Sequence, residues 1–132
     1  MVLLRTATKL SFLVSGFFMC VATGCSTGVG DPCTPEKIPE TGFSVNEAYI
    51  ETSSVQCETR VCGVFKYEGD PRSPNADKRV VEDRIYCTCR CKAPDKDFAV
   101  CDCPDDFECQ KILDLGGPGL EGSYCVRRGS WK

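Results

Sequence analysis

Two cysteine runs hold most of the chemistry available to this 132-residue chain. Cys87, Cys89 and Cys91 alternate with Thr88 and Arg90, and Cys101 and Cys103 flank Asp102. Sulfur at this density can cross-link a chain, bind a soft metal or exchange disulfides. On an extended strand, residues i and i+2 project to one side with parallel Cβ vectors, whereas a disulfide needs them to converge. Each of these five cysteines is therefore expected to bridge elsewhere. With Cys109 they form the covalent centre of the fold, and residues 93–100 are the loop that joins its parts.

Other reactive groups are sparse. The chain contains no histidine, which removes Ser-His-Asp and Cys-His catalysis and every histidine metal site. It also lacks a Cys-x-x-Cys redox motif. Asp102, Asp105, Asp106 and Glu108 cluster near Cys103. Carboxylates suit calcium, but their spacing is not that of an EF-hand loop. Acids around a turn are ordinary, so calcium stays a side alternative. No carboxylate pair is singled out for glycoside hydrolysis. The expectation is a non-enzymatic protein with no catalytic residues, no cofactor and no resident metal.

The redox compartment follows from the N-terminus. Arg5 and Lys9 precede an apolar run, LSFLVSGFFMCVATGC, that ends in small residues at Cys25. A short basic region, an apolar core too short to span a bilayer and a small-residue exit read as an export signal over residues 1–24. Ala22-Thr23-Gly24-Cys25 looks like a bacterial lipobox, which makes Cys25 the lipidation site. An ordinary secretory signal cut near Thr23 or Gly24 is the competing reading. Parity separates the two. Cys20 leaves with the signal, and an unmodified Cys25 would leave an odd set of eleven from the twelve cysteines. If Cys25 carries lipid, ten remain: Cys33, Cys57, Cys62, Cys87, Cys89, Cys91, Cys101, Cys103, Cys109 and Cys125. They make five bridges whose pairing the sequence does not reveal. Two or three acyl chains on one cysteine hold a protein to a membrane, where one chain is marginal. Residues 25–32 then read as acylated cysteine plus flexible tether, and residues 33–132 as the disulfide-rich domain. Ser26 after the acylated residue resembles lipoproteins sent to an outer membrane, with the face left open.

Residues 25–132 suffice for one domain. Without Arg5 and Lys9, 14 of the 16 cations face 19 acids, a formal charge of −5. With no basic stripe to offset it, nucleic acid is not expected as a partner. Only twenty Leu, Ile, Val and Phe residues occur from Cys25 onward, near the level at which burial alone no longer offsets ordering entropy. Cross-links supply the difference.

The positioning elements read as follows. Residues 33–42 are irregular and lie flat through Ile38 and a bridge from Cys33. Residues 43–51 give a weak strand signal. From Val55 the chain alternates at period two, with Val55, Cys57, Thr59, Val61, Gly63, Phe65 and Tyr67 inward. Cys57 then faces inward and Cys62 outward, so they are not expected to pair. Residues 69–77 are turn formers, and a second strand over about 78–91 completes a long hairpin. Residues 104–116 fit either a short helix or a turn followed by a strand. A glycine loop over 116–122 leads to a last strand at 123–126. Trp131, the only tryptophan, is either a partner or membrane contact or a loosely packed terminus. The predicted fold is small, disulfide-rich and mainly β: a long antiparallel hairpin plus a C-terminal cysteine-dense knot with at most one short helix.

Four motifs support a resemblance. Gly30-Asp31-Pro32-Cys33-Thr34-Pro35-Glu36, Gln56-Cys57-Glu58-Thr59-Arg60-Val61-Cys62, Cys87-Thr88-Cys89-Arg90-Cys91 and Gly122-Ser123-Tyr124-Cys125-Val126 resemble cysteine-rich cell-envelope lipoproteins of myxobacteria and related bacteria. The resemblance implies an envelope location and no assigned activity. The segment from Cys101 to Cys109 also looks like a piece of an EGF-type module, without the spacing of a whole one. The leading expectation is a lipid-anchored envelope module that binds a protein or envelope partner, or is structural. An exported redox or metal-handling protein using Cys87, Cys89 and Cys91, and a secreted inhibitor or toxin-like knot, are the alternatives.

Overall fold

The fold is built from two small antiparallel sheets packed face to face, and one stretch of chain, 85–92, contributes a strand to each. A computed structural model describes residues 28–114 and 116–131. In the first sheet the strands β1 (Ala48–Glu51), β2 (Val61–Phe65) and β3 (Ile85–Thr88) lie in the order β1-β2-β3. In the second, β4 (Arg90–Lys92), β5 (Phe107–Leu113) and β6 (Gly122–Arg127) lie in the order β4-β6-β5. The one helix among the described residues, α1 (Lys78–Arg84), sits between β2 and β3 in the chain. This is the small, disulfide-rich, mainly β architecture expected from the sequence.

Period two dictates how the first sheet divides its side chains. Cys62 and Val64 of β2, with Ile85 and Cys87 of β3, face a core shared with Cys33, Phe43, Cys57 and Tyr67. Val61 and Phe65, with Ile50 and Tyr86, face the second sheet and meet Phe107, Tyr124 and Val126. Both faces are covered, so β2 and β3 are almost wholly buried. Cys62, expected to point outward, is fully buried for this reason. The expected inward set divides: Cys57 is buried as expected but Val55 is 71% exposed, and Cys57 and Tyr67 lie in the core opposite to Phe65, on the side of Cys62. Backbone turns explain both. Arg60 and Lys66 take positive φ, 63° and 51°, and each resets the register at one end of the strand.

The predicted hairpin exists, since β2 pairs with β3 from Val61↔Thr88 to Val64↔Ile85, but the expected second strand over 78–91 divides into three. Residues 78–84 are helix. Asp77 caps it, its side chain accepting from Arg79 N at 2.9 Å, and Val81 N donates to Asp77 O. That cap, with Lys78 and Glu82 four residues apart, outweighs the β preference of Val80 and Val81. After β3 the chain leaves the first sheet at Cys89 and enters the second as β4. Of the two readings for 104–116, the turn and strand hold: Phe107 N donates to Pro104 O and β5 follows.

The tether expected over 25–32 is not a tether from Gly28 onward. Gly30 N donates to Cys87 O at 2.8 Å, Cys87 N donates to Asp31 O at 2.7 Å, and Pro32 bridges Tyr86. The segment covers the open edge of β3, whose polar backbone would otherwise be unpaired. Val29 packs against the core between the sheets.

An aromatic seam joins the sheets. Phe65 and Tyr86 have centroids 4.9 Å apart, Tyr86 meets Phe107 edge-on at 5.6 Å, and the Arg127 guanidinium lies over both Tyr86 and Phe107. The Tyr86 hydroxyl accepts from Arg127 N at 2.8 Å, and Thr88 Oγ1 donates to Cys125 O at 2.6 Å.

Candidate functional site

All ten cysteines from Cys33 onward are paired. Cys33–Cys62 and Cys57–Cys87 fix the first sheet to the loops that cover it. Cys89–Cys101, Cys91–Cys109 and Cys103–Cys125 hold the second. No bridge joins one set to the other. As expected, no Cys-x-Cys pair bridges internally, and Cys57 does not bond Cys62. Strand register alone would mislead about partners: Cys62 lies opposite Cys87 and Cys109 opposite Cys125, yet neither pair is bonded. Bridges side by side on neighbouring strands result, with their sulfurs close together.

This proximity is most developed in the second sheet. Cys125 Sγ lies 3.6 Å from Cys89 Sγ and 3.7 Å from Cys101 Sγ, so the Cys103–Cys125 bridge touches Cys89–Cys101. On its other side, the sulfurs of Cys91, Cys103 and Cys109 lie within 4.8 Å of one another. The three bridges thus form a continuous ladder of six sulfurs. Its innermost sulfurs are those of Cys89 and Cys125, both buried; Cys91, Cys101 and Cys103 are half-buried, and Cys109, at one end, is exposed. In the first sheet Cys33, Cys57 and Cys87 also approach within 4.8 Å, but all three are buried.

One end of the ladder opens into a surface pocket of about 390 Å³ whose lining includes Thr52, Val61, Cys89, Arg90, Val100 and Cys101. Cys101 N donates to Arg90 O, tying the loop to β4. The Arg90 guanidinium stacks on Phe98 at 4.6 Å and donates to Pro118 O at 3.0 Å, which brings the glycine loop to the same rim. Tyr124, also on the wall, donates its hydroxyl to Leu120 O at 2.6 Å. Burial pushes this phenol up from its ordinary pKa, and the Arg90 charge draws it part of the way back.

Among the described residues, the only groups of three or more potential ligand atoms gathered within 4.8 Å are these cysteine sulfurs. Asp102, Asp105, Asp106 and Glu108 are not brought together. Asp105 and Asp106 instead offer backbone carbonyls to Arg128, at 2.8 and 2.9 Å. Cys25 lies outside the described residues. Trp131 is neither loose nor projecting: it packs edge-on against Phe65 at 6.5 Å, and Lys66 Nζ lies 5.0 Å over its ring and donates to its carbonyl at 2.7 Å. Arg90 and Tyr124 escaped the sequence reading as site residues because nothing local marks them. Comparison with protein-family models, curated sequences and solved structures yields no match.

Proposed function

We propose that the protein is an exported, lipid-anchored envelope lipoprotein whose cross-linked domain serves as a durable, non-catalytic binding or structural module. The observation that carries this reading is that all ten cysteines of the domain are used in five internal bridges. Cys25 is then the odd thiol after residues 1–24. In an oxidising compartment an unpaired thiol is a liability, and conversion to a lipid thioether removes it. The lipobox-like ending of the signal and the resemblance to myxobacterial envelope lipoproteins point the same way. Five bridges also suit an envelope location, where disulfides persist. Among the described residues, no helix is long and apolar enough to cross a membrane, so attachment in this reading falls to the lipid.

Intact mass of the protein extracted from membranes without reductant, before and after alkylation, tests the proposal. The expected value is that of residues 25–132 plus a lipid increment, less ten hydrogens, with no alkylation. A lipid-free mass carrying one alkylatable thiol would overturn the anchor.

A further inference from the structure

We propose that the C-terminal sulfur ladder is a thiol-exchange relay, in which a thiol that attacks one open end, at Cys101, releases a thiol at the other, Cys109. This goes beyond the module proposed above and does not depend on the lipid.

Exchange requires a thiolate to reach a disulfide sulfur, and its rate depends on access and on the pKa values of attacking and leaving thiols. The ladder places its sulfurs in sequence, in contact at the first internal transfer and within 4.8 Å at the second. An incoming thiolate, small or peptidyl, enters the pocket beside Arg90, whose cation favours the anionic nucleophile, and attacks Cys101 Sγ. A mixed disulfide forms there, and the Cys89–Cys101 bond breaks with its electron pair on Cys89. Cys89 Sγ already touches Cys125 Sγ, at 3.6 Å. Its attack makes Cys89–Cys125 and releases Cys103. Cys103 Sγ lies within 4.8 Å of the Cys91 and Cys109 sulfurs; attack on Cys91 makes Cys91–Cys103 and expels Cys109. Cys109 is exposed, so its thiolate is solvated and takes up a proton.

The balance is closed. One thiol is consumed and one released, and three disulfides become three, one of them mixed. A second incoming thiol at Cys101 releases the oxidised dimer of the reagent and leaves the protein reduced by two electrons, with thiols at both ends. The sequence runs equally in reverse from Cys109, because the same internal bonds result. The first sheet supplies an internal contrast: sulfurs of its two bridges also lie within 4.8 Å of one another, but Cys33, Cys57, Cys62 and Cys87 are all buried, so the relay has no open end there.

The experiment treats the oxidised wild-type protein with less than one equivalent of glutathione at mildly alkaline pH. It is followed by acid quench, alkylation with N-ethylmaleimide and peptide mapping of single-adduct molecules without reductant. The expected species carries glutathione on Cys101 and the alkyl group on Cys109, or the reverse, with Cys89–Cys125 and Cys91–Cys103 between them. Adduct and free thiol within one original bridge, Cys101 with Cys89 or Cys109 with Cys91, and Cys103–Cys125 intact, would overturn the proposal. So would adducts spread equally over the first sheet. As a second measurement, the joint substitution of Cys103→Ala and Cys125→Ala removes the middle rung. The thiol released by attack at Cys101 should then stay on Cys89, and its appearance on Cys109 in that variant would equally refute the relay.

Discussion

Gly63 lies at the centre of the first sheet, and replacing it with alanine tests whether the two sheets pack as described. It is paired to Ile50 on one side and Tyr86 on the other, on the face toward the second sheet. A methyl group there would lie 2.5 and 2.6 Å from the Phe65 ring and 3.1 Å from Thr88 Cγ2. The ring cannot swing aside cheaply, because Phe65 is fully buried and held between Tyr86 and Trp131. Overpacking costs about 1–3 kcal/mol, and displacing the ring forfeits part of an aromatic contact of about 0.5–1.5 kcal/mol. Removing a glycine from a strand returns about 0.5–1 kcal/mol. The net expectation for Gly63→Ala is a loss of about 2 kcal/mol. With a urea m-value of about 1–2 kcal/mol/M, this lowers the midpoint by about 1–2 M. The assay is equilibrium urea unfolding of the oxidised protein, followed by near-UV dichroism. Gly119→Ala is the control: nothing lies within 4 Å of an added Cβ there, so it should change stability by less than about 0.5 kcal/mol. A Gly63→Ala midpoint equal to or above wild type, with the aromatic dichroism unchanged, would refute the packing argument.

Further expectations follow from individual contacts. Opening Cys57–Cys87 by a double alanine substitution releases a loop of 30 residues and should cost about 3–4 kcal/mol on the chain-entropy account; a thermal midpoint within error of wild type would count against it. Asp77→Ala removes the cap of α1. Because that helix buries no residue, the loss should be confined to about 1 kcal/mol, read as faster amide exchange over 78–84 with the sheets unaffected. Burial raises the Tyr86 pKa, opposed by the hydrogen bond from Arg127 N. The folded state therefore prefers the neutral phenol, and its contribution is full below pH 10, the ordinary tyrosine value. Stability should fall as pH rises above that point, and Tyr86→Phe should flatten the fall in a rapid alkaline titration. A profile unchanged by the substitution would show that burial does not govern this phenol.

What could be read from the chain is what local spacing controls. Cys87, Cys89 and Cys91 are barred from bridging one another by the two-residue repeat of a strand. The cysteine content against twenty large aliphatic and Phe residues requires cross-links in place of a large core. The last strand, expected over 123–126 and observed over 122–127, follows a glycine loop, and the hairpin pairing of β2 with β3 follows from alternation and turn chemistry. The helix at 78–84 was legible too, in Asp77 and the charges after it, but two valines and a neighbouring strand pattern masked it.

Tertiary structure decided the rest. Alternation assigns a side chain to a face but does not say whether that face meets water, and Cys62 is buried because residues from the distant 33–43 stretch cover it. The five pairings depend on Cβ atoms, separated by 12 to 30 residues along the chain, approaching within bonding reach. That approach is set by how the two sheets stack and where the chain changes sheet at Cys89. The contact of one bridge with the next, at 3.6 Å, exists only once β6 lies beside the chain at Cys89, where Cys125 N donates to Cys89 O.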